Sequence, residues 1–274
     1  MTEHPSNLSV YRAPEVVAHY AGLNYVTACE QLLFATYLRA GIRILDLGVG
    51  GGRTTAILSQ LASYYVGVDY AQEMVDVCRQ KFPNQQFEVT DASDLSSFAD
   101  ISFDAVVFSF NGLDYLVPDE KRRFCLRECH RVLKRGGVLI FSSHNPRALL
   151  VDTGWSCGHL RDIAGRIAGG NALTFYLVLG ALTCTRVGLS AARTLRAVAP
   201  RAVRRLPTTA FWRGEGYFLD PSHGGLLTHC AVPDCVIAEV TQFSFTLLRV
   251  LPEDYPRRSR AWSTRWYYFA FSKL

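Results

Sequence analysis

The chain has 274 residues, of which 49% are hydrophobic and 19% charged; this composition excludes a disordered protein and allows one enlarged α/β domain. The formal net charge is +5, and the eight cysteines include no C-x-x-C pair, so we expect reduced thiols and no zinc or other metal site. The first residues are polar and predict no signal peptide, which favours a cytoplasmic protein.

Two elements are predicted before residue 60. Apolar residues at helical spacing predict a helix from Val10 to Tyr20. Residues 42–55, IRILDLGVGGGRTT, predict a short buried strand, a turn with four glycines and a helix that begins near Arg53. Glycines allow φ > 0 and let a ligand approach the backbone, so this unit predicts a nucleotide cradle. An NAD-dependent oxidoreductase is disfavoured, because Arg53 replaces the third glycine of the dinucleotide fingerprint and Asp46 would repel a pyrophosphate.

Further strands then alternate with helices. A strand that ends in an acid, Asp69, follows at about the spacing of one βα repeat. Strands that alternate with helices predict a parallel sheet covered on its faces. The predicted elements are a strand at 64–69, a helix at 71–81, strands at 87–92 and 103–112, and a helix end, a Gly-Gly turn and a strand at 131–142.

An arginine-rich segment interrupts this alternation. Residues 155–215 contain only two acids, Asp162 and Glu215, and no lysine, against nine arginines: Arg161, Arg166, Arg186, Arg193, Arg196, Arg201, Arg204, Arg205 and Arg213. Residues 167–185 carry no charge, but glycines and threonines dilute them and the chain must return to the same sheet. We therefore expect a buried or interfacial helix rather than a membrane span. The insertion at 151–215 would act as a lid or make peripheral contact with a membrane.

The last part of the chain is predicted to complete the sheet. Residues 216–229 predict a β-hairpin that turns at Gly224-Gly225, and residues 233–240 predict a helix with Pro233 in its first turn. Two closing strands are predicted at 243–251 and 266–273.

The motif Asp46-x-Gly48-x-Gly50-x-Gly52 resembles the first motif of the class I S-adenosylmethionine (SAM)-dependent methyltransferases, and the resemblance covers residues 10–147 and, more weakly, 214–274. It implies a seven-stranded, mostly parallel sheet with helices on both faces, in the order 3-2-1-4-5-7-6, with a helical insertion after strand 5. Residues 1–150 would form an N-terminal flap and the SAM-binding core, and residues 216–274 would complete it.

The resemblance also implies the cosubstrate SAM, the product S-adenosylhomocysteine (SAH) and a set of binding residues. Asp69 matches the acid that accepts the ribose hydroxyls, Asp91 the acid near the adenine amine, and Met74 the residue that covers the adenine. Two plainer readings stay open: the two acids as helix N-caps and Met74 as core. The full predicted set is Tyr11, Tyr20, Asp46, Gly48, Gly50, Gly52, Asp69, Tyr70, Met74, Asp91, Ala92 and Phe110.

Acceptor and catalytic residues are expected at the C-terminal edge of the sheet. His144 is the first candidate for a general base, because it leaves strand 5 beside the expected acceptor site and a histidine titrates near neutral pH. It could instead hydrogen-bond the backbone in a turn before Pro146. The other candidate bases are His223 and His229, and the predicted acceptor-binding residues are Asn111, Asp114 and Asn145.

The implied activity is methyl transfer to a small-molecule, sugar or lipid-linked glycan acceptor, with oxygen favoured over nitrogen. A nucleic-acid acceptor is not favoured, because residues 108–115 lack the N/D-P-P-Y/F signature and no RNA-binding motif accompanies the arginines. Three alternatives stay open: a non-catalytic SAM-binding partner subunit, an RNA or protein methyltransferase, and a SAM-dependent enzyme of another reaction type.

Overall fold

A computed structural model describes residues 7–147, 157–198, 213–220, 226–257 and 264–274. Its centre is a seven-stranded sheet in the order β3-β2-β1-β4-β5-β9-β8. The strands β1 to β5 are parallel, and β9 runs antiparallel between β5 and β8. The strands of this sheet are β1 (Ile42–Leu47), β2 (Ala62–Asp69), β3 (Gln86–Val89), β4 (Phe103–Phe108), β5 (Leu133–His144), β8 (Phe245–Pro252) and β9 (Trp266–Lys273).

This order confirms the predicted sheet, because β8 and β9 are its sixth and seventh strands along the chain. A separate antiparallel pair, β6 (Glu215–Asp220) and β7 (Leu226–Ala231), forms the predicted hairpin, whose turn lies outside the described residues. The helices are α1 (Asn7–Tyr11), α2 (Pro14–Ala21), α3 (Ala28–Tyr37), α4 (Thr55–Leu61), α5 (Gln72–Lys81), α6 (Asp119–Val132), α7 (Cys157–Ala168), α8 (Ala172–Val198) and α9 (Pro233–Thr241).

The sheet separates two apolar layers, because neighbouring strand residues point to opposite faces. On β1, for example, Leu45 and Leu47 pack on one face and Ile44 on the other, all fully buried. Phe141 continues the first layer on β5 and Ile140 the second. Both faces are therefore covered, which leaves the C-terminal edge of the parallel strands as the place where a ligand can enter.

Several predicted boundaries were wrong. The single helix from Val10 to Tyr20 is two helices, because Pro14 disfavours a helical conformation at residue 13 and begins α2 instead. The third predicted strand ends early, at Val89, and the fourth ends at Phe108, so that the residues which follow each of them lie in loops at the sheet edge. Helix α3, which begins with a capping box formed by Thr27 and Glu30, was not predicted.

The segment between β5 and β6 is helical where it is described, as α7 and α8. Between Ala172 and Thr185 the side chains of α8 are exposed or half-buried, which argues against the buried alternative for this helix. Within the described part of the chain, no helix combines the length and hydropathy that crossing a bilayer requires. The division into a core at 1–150, an insertion at 151–215 and a closing part at 216–274 stays a prediction.

Candidate active site

A cleft with about 700 Å³ of empty space, including its open mouth, lies at the C-terminal edge of the sheet. Ten of the twelve predicted SAM-binding residues line it; Asp46 and Gly52 are not among the lining residues. The walls come from α1 and α2, the glycine turn, the end of β2, and the loops after β3 and β4. The lining residues are Tyr11, Tyr20, Gly48, Gly50, Asp69, Tyr70, Met74, Thr90, Asp91, Ala92, Phe108, Ser109, Phe110, Gly112, Tyr115 and Leu116.

The glycine turn forms the floor of the cleft. Gly48 and Gly50 have φ values of +58° and +53°, a conformation that favours glycine. Gly51 is required for another reason, since a Cβ there would lie 2.3 Å from the carbonyl oxygen of Tyr20. The end of α2 therefore rests directly on the turn, and Tyr11 and Tyr20 of the N-terminal segment line the cleft; its role as a flap stays a prediction.

Asp69 ends β2 at the wall of the cleft. Its Oδ2 accepts a hydrogen bond from the backbone amide of Gly50 at 2.9 Å, and its Oδ1 accepts one from Ala71 at 3.0 Å. Burial raises the pKa of Asp69 to about 6, although these amides act in the opposite direction. A carboxylate offers about four acceptor positions, so this side chain retains acceptor capacity for hydroxyl donors in the cleft.

Asp46 lies beneath the turn. Its Oδ2 accepts hydrogen bonds from the Thr54 hydroxyl at 2.8 Å and from the Tyr65 hydroxyl at 2.9 Å. Burial raises its pKa to about 6. Asp46 therefore ties β1 to β2 and to the start of α4, and a direct contact with SAM stays a prediction.

Gly52 also has a packing role. It has a φ of +83°, and a Cβ at this position would lie 2.6 Å from the ring of Phe82. The third glycine of the motif is thus needed for the seating of α5 against the turn, and its predicted contact with SAM is not tested.

Tyrosine rings cover the cleft. The ring of Tyr11 packs on those of Tyr20, Tyr70 and Tyr115 with centroid distances of 5.8, 5.9 and 6.0 Å. Met74 lies beneath them, 1% exposed, and belongs both to this packed cluster and to the lining. Its two predicted roles, core and cofactor cover, are therefore compatible.

Asp91 and Ala92 lie in the loop after β3, on the cleft wall. Asp91 Oδ1 accepts hydrogen bonds from the backbone and hydroxyl of Ser93, and Oδ2 pairs with Lys121 at 2.8 Å. Burial alone would raise the pKa of Asp91, but these partners hold it below its ordinary value. The carboxylate is thus charged at neutral pH.

Arg53 has a structural role that the sequence did not reveal. Its guanidinium donates to both carboxylate oxygens of Glu30 and, at 2.9 Å, to the carbonyl oxygen of Tyr25. The same group lies over the ring of Phe110, 4.5 Å from its centroid. The side chains of the ion pair are 8% and 1% exposed, so this is a buried link between α3, the glycine turn and the loop after β4. Only the absence of a glycine at 53 signalled anything unusual there.

The loop after β4 is held in an uncommon conformation. Phe110 and Asn111 have φ values of +56° and +60°, a region in which side chains other than glycine are strained. The backbone amide of Asn111 donates to the Ser142 hydroxyl at 2.8 Å, which fixes the loop to β5. The Oδ1 atom of Asn111 is buried and has no hydrogen-bond partner among the described residues. An acceptor atom of this kind is suited to bind a donor on a ligand.

His144, the first candidate base, pairs with Asp114. The distance from its Nδ1 to Asp114 Oδ2 is 2.8 Å, and its backbone amide donates to the same oxygen at 2.6 Å. Its Nε2 lies 3.2 Å from Nδ2 of Asn111, which can only donate, so the neutral ring carries its proton on Nδ1 and has Nε2 as an acceptor. This is the tautomer of a general base oriented by a carboxylate.

Asp114 is the centre of this group and is 1% exposed. Burial alone would raise its pKa, but the hydrogen bond with His144 and the neighbouring imidazoles of His144 and His229 hold it below its ordinary value. The Ser143 hydroxyl donates to its other oxygen at 2.9 Å. Asp114 was predicted to bind the acceptor, and the structure surrounds it with protein partners, which is the position of an orienting residue.

The remaining candidates differ in their surroundings. His229 lies on β7 with its Nδ1 3.8 Å from Asp114, and burial, followed by the charge of Arg122, lowers its pKa. Asn145 holds a turn, since its amide donates to the carbonyl oxygen of Thr264 and its Oδ1 accepts from Arg147. His223 lies outside the described residues.

Aromatic rings surround His144. Tyr115, Phe218 and Trp266 contact it edge to face, with centroid distances of 5.9, 5.4 and 6.4 Å. Trp266 is the direct partner of His144 in the β5–β9 pairing, and Phe218 belongs to β6. The hydroxyl of Tyr115 donates to Asp220 at 2.8 Å and so fixes the ring. All three rings lie far from His144 in the sequence, the nearest being Tyr115 at 29 residues.

The chain is similar to known methyltransferases in sequence and in fold. Residues 45–141 match the family described as "Methyltransferase domain". The CcbJ methyltransferase from Streptomyces caelestis has the same fold, with a TM-score of 0.61 over 99% of this chain and 100% of that one, at 15% identity. Residues 45–141 therefore form a methyltransferase domain, and the chain has the fold of the class I SAM-dependent methyltransferases. The predicted family, fold class and cosubstrate are thereby confirmed.

Two curated proteins match this methyltransferase in part. The demethylmenaquinone methyltransferase of Clavibacter sepedonicus is 39% identical over 120 residues, which are 42% of this chain and 47% of that protein. The ubiquinone biosynthesis O-methyltransferase of Xanthomonas oryzae pv. oryzae is 34% identical over 127 residues, 45% and 48% of the two chains. The matches thus span about half the length of the curated relatives.

The cleft of this methyltransferase fits SAM. The positive φ values of Gly48 and Gly50 leave the floor without a Cβ, where a ligand can touch the backbone. The carboxylate of Asp69 retains acceptor positions for hydroxyl groups, and the tyrosine cover offers ring faces to a purine. Asn111 follows the lining residue Phe110, and the ring of His144 packs on the lining residue Tyr115, so a polar group adjoins the part of the cleft that fits SAM.

Proposed function

We propose that the protein transfers the methyl group of SAM to a hydroxyl oxygen of a small-molecule acceptor, with His144 as general base and Asp114 as the residue that orients it. The observation that carries the proposal is the buried Asp114–His144 pair beside the SAM cleft, with Nε2 as the basic atom. Bound SAM would supply an electrophilic methyl group on a sulfonium.

The residues of the chain would then have three tasks. The glycine turn, Asp69 and the tyrosine cover hold the cosubstrate and exclude water. The acceptor hydroxyl would take the place of the Asn111 side-chain amide at His144 Nε2. This nitrogen would receive the hydroxyl proton as the acceptor oxygen attacks the methyl group. Asp114 would stabilise the imidazolium that forms, since its low pKa keeps it charged.

The surroundings of His144 favour a flat or ring-shaped acceptor. Tyr115, Phe218 and Trp266 present ring surfaces around the base, and Asn111 Oδ1 is available for a second hydroxyl. Both relatives are named for quinones, and the Xanthomonas protein is named an O-methyltransferase, which agrees with oxygen as the acceptor atom. We therefore place phenols and hydroquinones first, and sugars or lipid-linked glycans second.

A non-catalytic SAM-binding subunit is the competing function. A subunit of that kind has no need of a histidine in the tautomer of a base, oriented by a buried acid. The same observation therefore favours an enzyme.

The test is the formation of SAH from SAM in the presence of a panel of phenols, hydroquinones and sugars. We expect turnover with an aromatic hydroxyl and none with the matching methyl ether, because the ether has no proton to give. SAH binding without turnover on any acceptor class would contradict the proposal and support the subunit. Turnover that His144→Ala leaves unchanged would contradict the assignment of the base.

A further inference from the structure

The outward face of α8 is uncharged along its first half. From Ala172 to Thr185 no side chain is buried, and Leu173, Tyr176 and Leu177 are 71, 68 and 65% exposed. A surface helix in a globular protein turns its charged residues outward, whereas here the outward residues are apolar or small. We call this the apolar face of α8; its exposed residues are Leu173, Tyr176, Leu177, Gly180, Ala181 and Cys184.

Another exposed apolar side chain lies just before the turn between the two helices. Ile167, one residue before the end of α7, is 59% exposed, and only Gly169, Gly170 and Asn171 separate the helices. The segment of α8 from residue 172 to 185 is about 21 Å long at the rise of an α-helix. Exposed apolar side chains in such a row, rather than scattered singly, indicate a surface that meets another phase or molecule.

Along the sequence, the charged residues that flank this face have one sign. From residue 163 to residue 214 the sequence has no aspartate, glutamate or lysine. Arg166 is exposed next to Ile167, and Arg186 follows the apolar segment directly. The arginines of this stretch are Arg166, Arg186, Arg193, Arg196, Arg201, Arg204, Arg205 and Arg213.

We propose that the α7–α8 hairpin docks on an anionic lipid surface, with the apolar face of α8 in the headgroup and upper acyl region, Arg166 toward lipid phosphates, and the arginine-rich sequence as the source of positive charge. An apolar helix face combined with a basic surround is the pattern of interfacial helices. A second copy of the hairpin fits less well, because two arginine-rich segments with a single acid each, Asp162, would repel each other. A nucleic acid would use the arginines and leave the apolar face uncovered.

The hairpin is connected to the acceptor end of the cleft. Helix α8 packs against β6 and β7, the strands that carry Phe218 and His229 beside the Asp114–His144 pair. If the proposed function holds, docking would bring the acceptor mouth close to the lipid in which an apolar acceptor dissolves. Lipid binding itself requires neither SAM nor an acceptor, so it can be tested apart from methyl transfer.

The test is co-sedimentation of the full chain with vesicles of phosphatidylcholine containing a quarter phosphatidylglycerol, and with pure phosphatidylcholine. We expect binding to the anionic vesicles that weakens as salt rises, and much weaker binding to the neutral ones. The double variant Leu173→Asp/Leu177→Asp should bind at least about tenfold more weakly, since it removes two inserted side chains and adds two negative charges.

Two further variants separate the causes. Leu173→Ser/Leu177→Ser removes the apolar groups without adding charge and should also weaken binding. Phe124→Asp makes the same kind of change at a residue of α6 that is 50% exposed, and should bind as the unchanged protein does. Because all three sites are exposed, we expect unchanged thermal melting, which excludes misfolding as the cause.

Absence of binding to anionic vesicles would overturn the proposal, as would equal binding to neutral vesicles or an equal loss in Phe124→Asp. A dimer in light scattering that Leu173→Asp/Leu177→Asp dissociates would also overturn it, in favour of a second copy as the occupant.

Discussion

The SAM end of the cleft is built from backbone and from residues close together in the sequence. The proposed acceptor end around His144 is built from side chains that are far apart in the sequence. Gly48, Gly50 and Asp69 belong to consecutive βα units. At the acceptor end, His144 meets Asp114 from the loop after β4 and Trp266 from β9. A backbone cradle tolerates change in its surroundings, so one cosubstrate can be combined with many acceptors when the other end varies.

If the two ends are independent, a change at His144 should affect turnover without affecting SAH binding. His144→Ala should reduce kcat by about 10²–10⁴-fold, the usual contribution of a general base, and leave SAH affinity unchanged. Single-turnover kinetics and calorimetric titration with SAH measure the two quantities. The matched variant His229→Gln, on the other side of Asp114, should reduce kcat by a smaller factor. A loss of SAH affinity in His144→Ala would mean that the two ends of the cleft are not separable.

Arg53 connects the two ends and should therefore affect both. Arg53→Met leaves the buried carboxylate of Glu30 without its partner and should lower the free energy of unfolding by roughly 3–5 kcal/mol. It should also raise the acceptor KM, because Phe110 loses the cation above its ring. Urea denaturation gives the first quantity and initial rates give the second.

Glu30→Gln is the control for this prediction, since glutamine can keep the capping box with Thr27 and leaves no unpaired carboxylate. In the double variant Arg53→Met/Glu30→Gln much of the stability should return. An additive loss in the double variant would show that the ion pair has no coupling energy.

Asp69 should affect binding only. Asp69→Asn replaces a charged acceptor and should weaken SAH binding by about 10–100-fold, the range for hydrogen bonds to a charged group. Because burial raises the pKa of Asp69 to about 6, SAH affinity of the unchanged protein should fall as the pH drops below about 6, where the carboxylate takes up a proton. The variant should lack this fall. Calorimetry between pH 5 and 8, with NAD⁺ as a ligand that should not bind, measures both effects.

The smallest expected effect is that of Asp46 on the free energy of unfolding. Its pKa of about 6 in the folded protein lies above the value near 4 of an unfolded chain, so the folded state binds the proton more tightly. This group therefore adds stability as the pH falls through 6, and the gain is lost as the pH rises through 6. Relative to Asp46→Asn, the unchanged protein should gain about 1 kcal/mol between pH 7 and 5. A pH-independent difference in denaturant unfolding would mean that Asp46 stays ionised.

The sequence by itself determined the SAM end of this protein. A strand, a glycine turn and an acid at the end of the next strand are local features, and local sterics and hydrogen bonding decide them. Ten of the twelve predicted cofactor residues line the cleft for this reason. The break at Pro14, although missed, is equally local and could have been predicted from the proline alone.

Only the tertiary structure decided the acceptor end and the roles of the buried charges. No spacing along the chain indicates that Asp114 contacts His144 rather than an acceptor, or that Arg53 pairs with Glu30, because these contacts depend on how β4, β5 and α3 pack. Likewise, Asp46 and Gly52 keep their places in the motif but contact the protein beneath the turn. A motif specifies residue types at a backbone feature, whereas the direction of each side chain is set by the neighbours that folding brings to it.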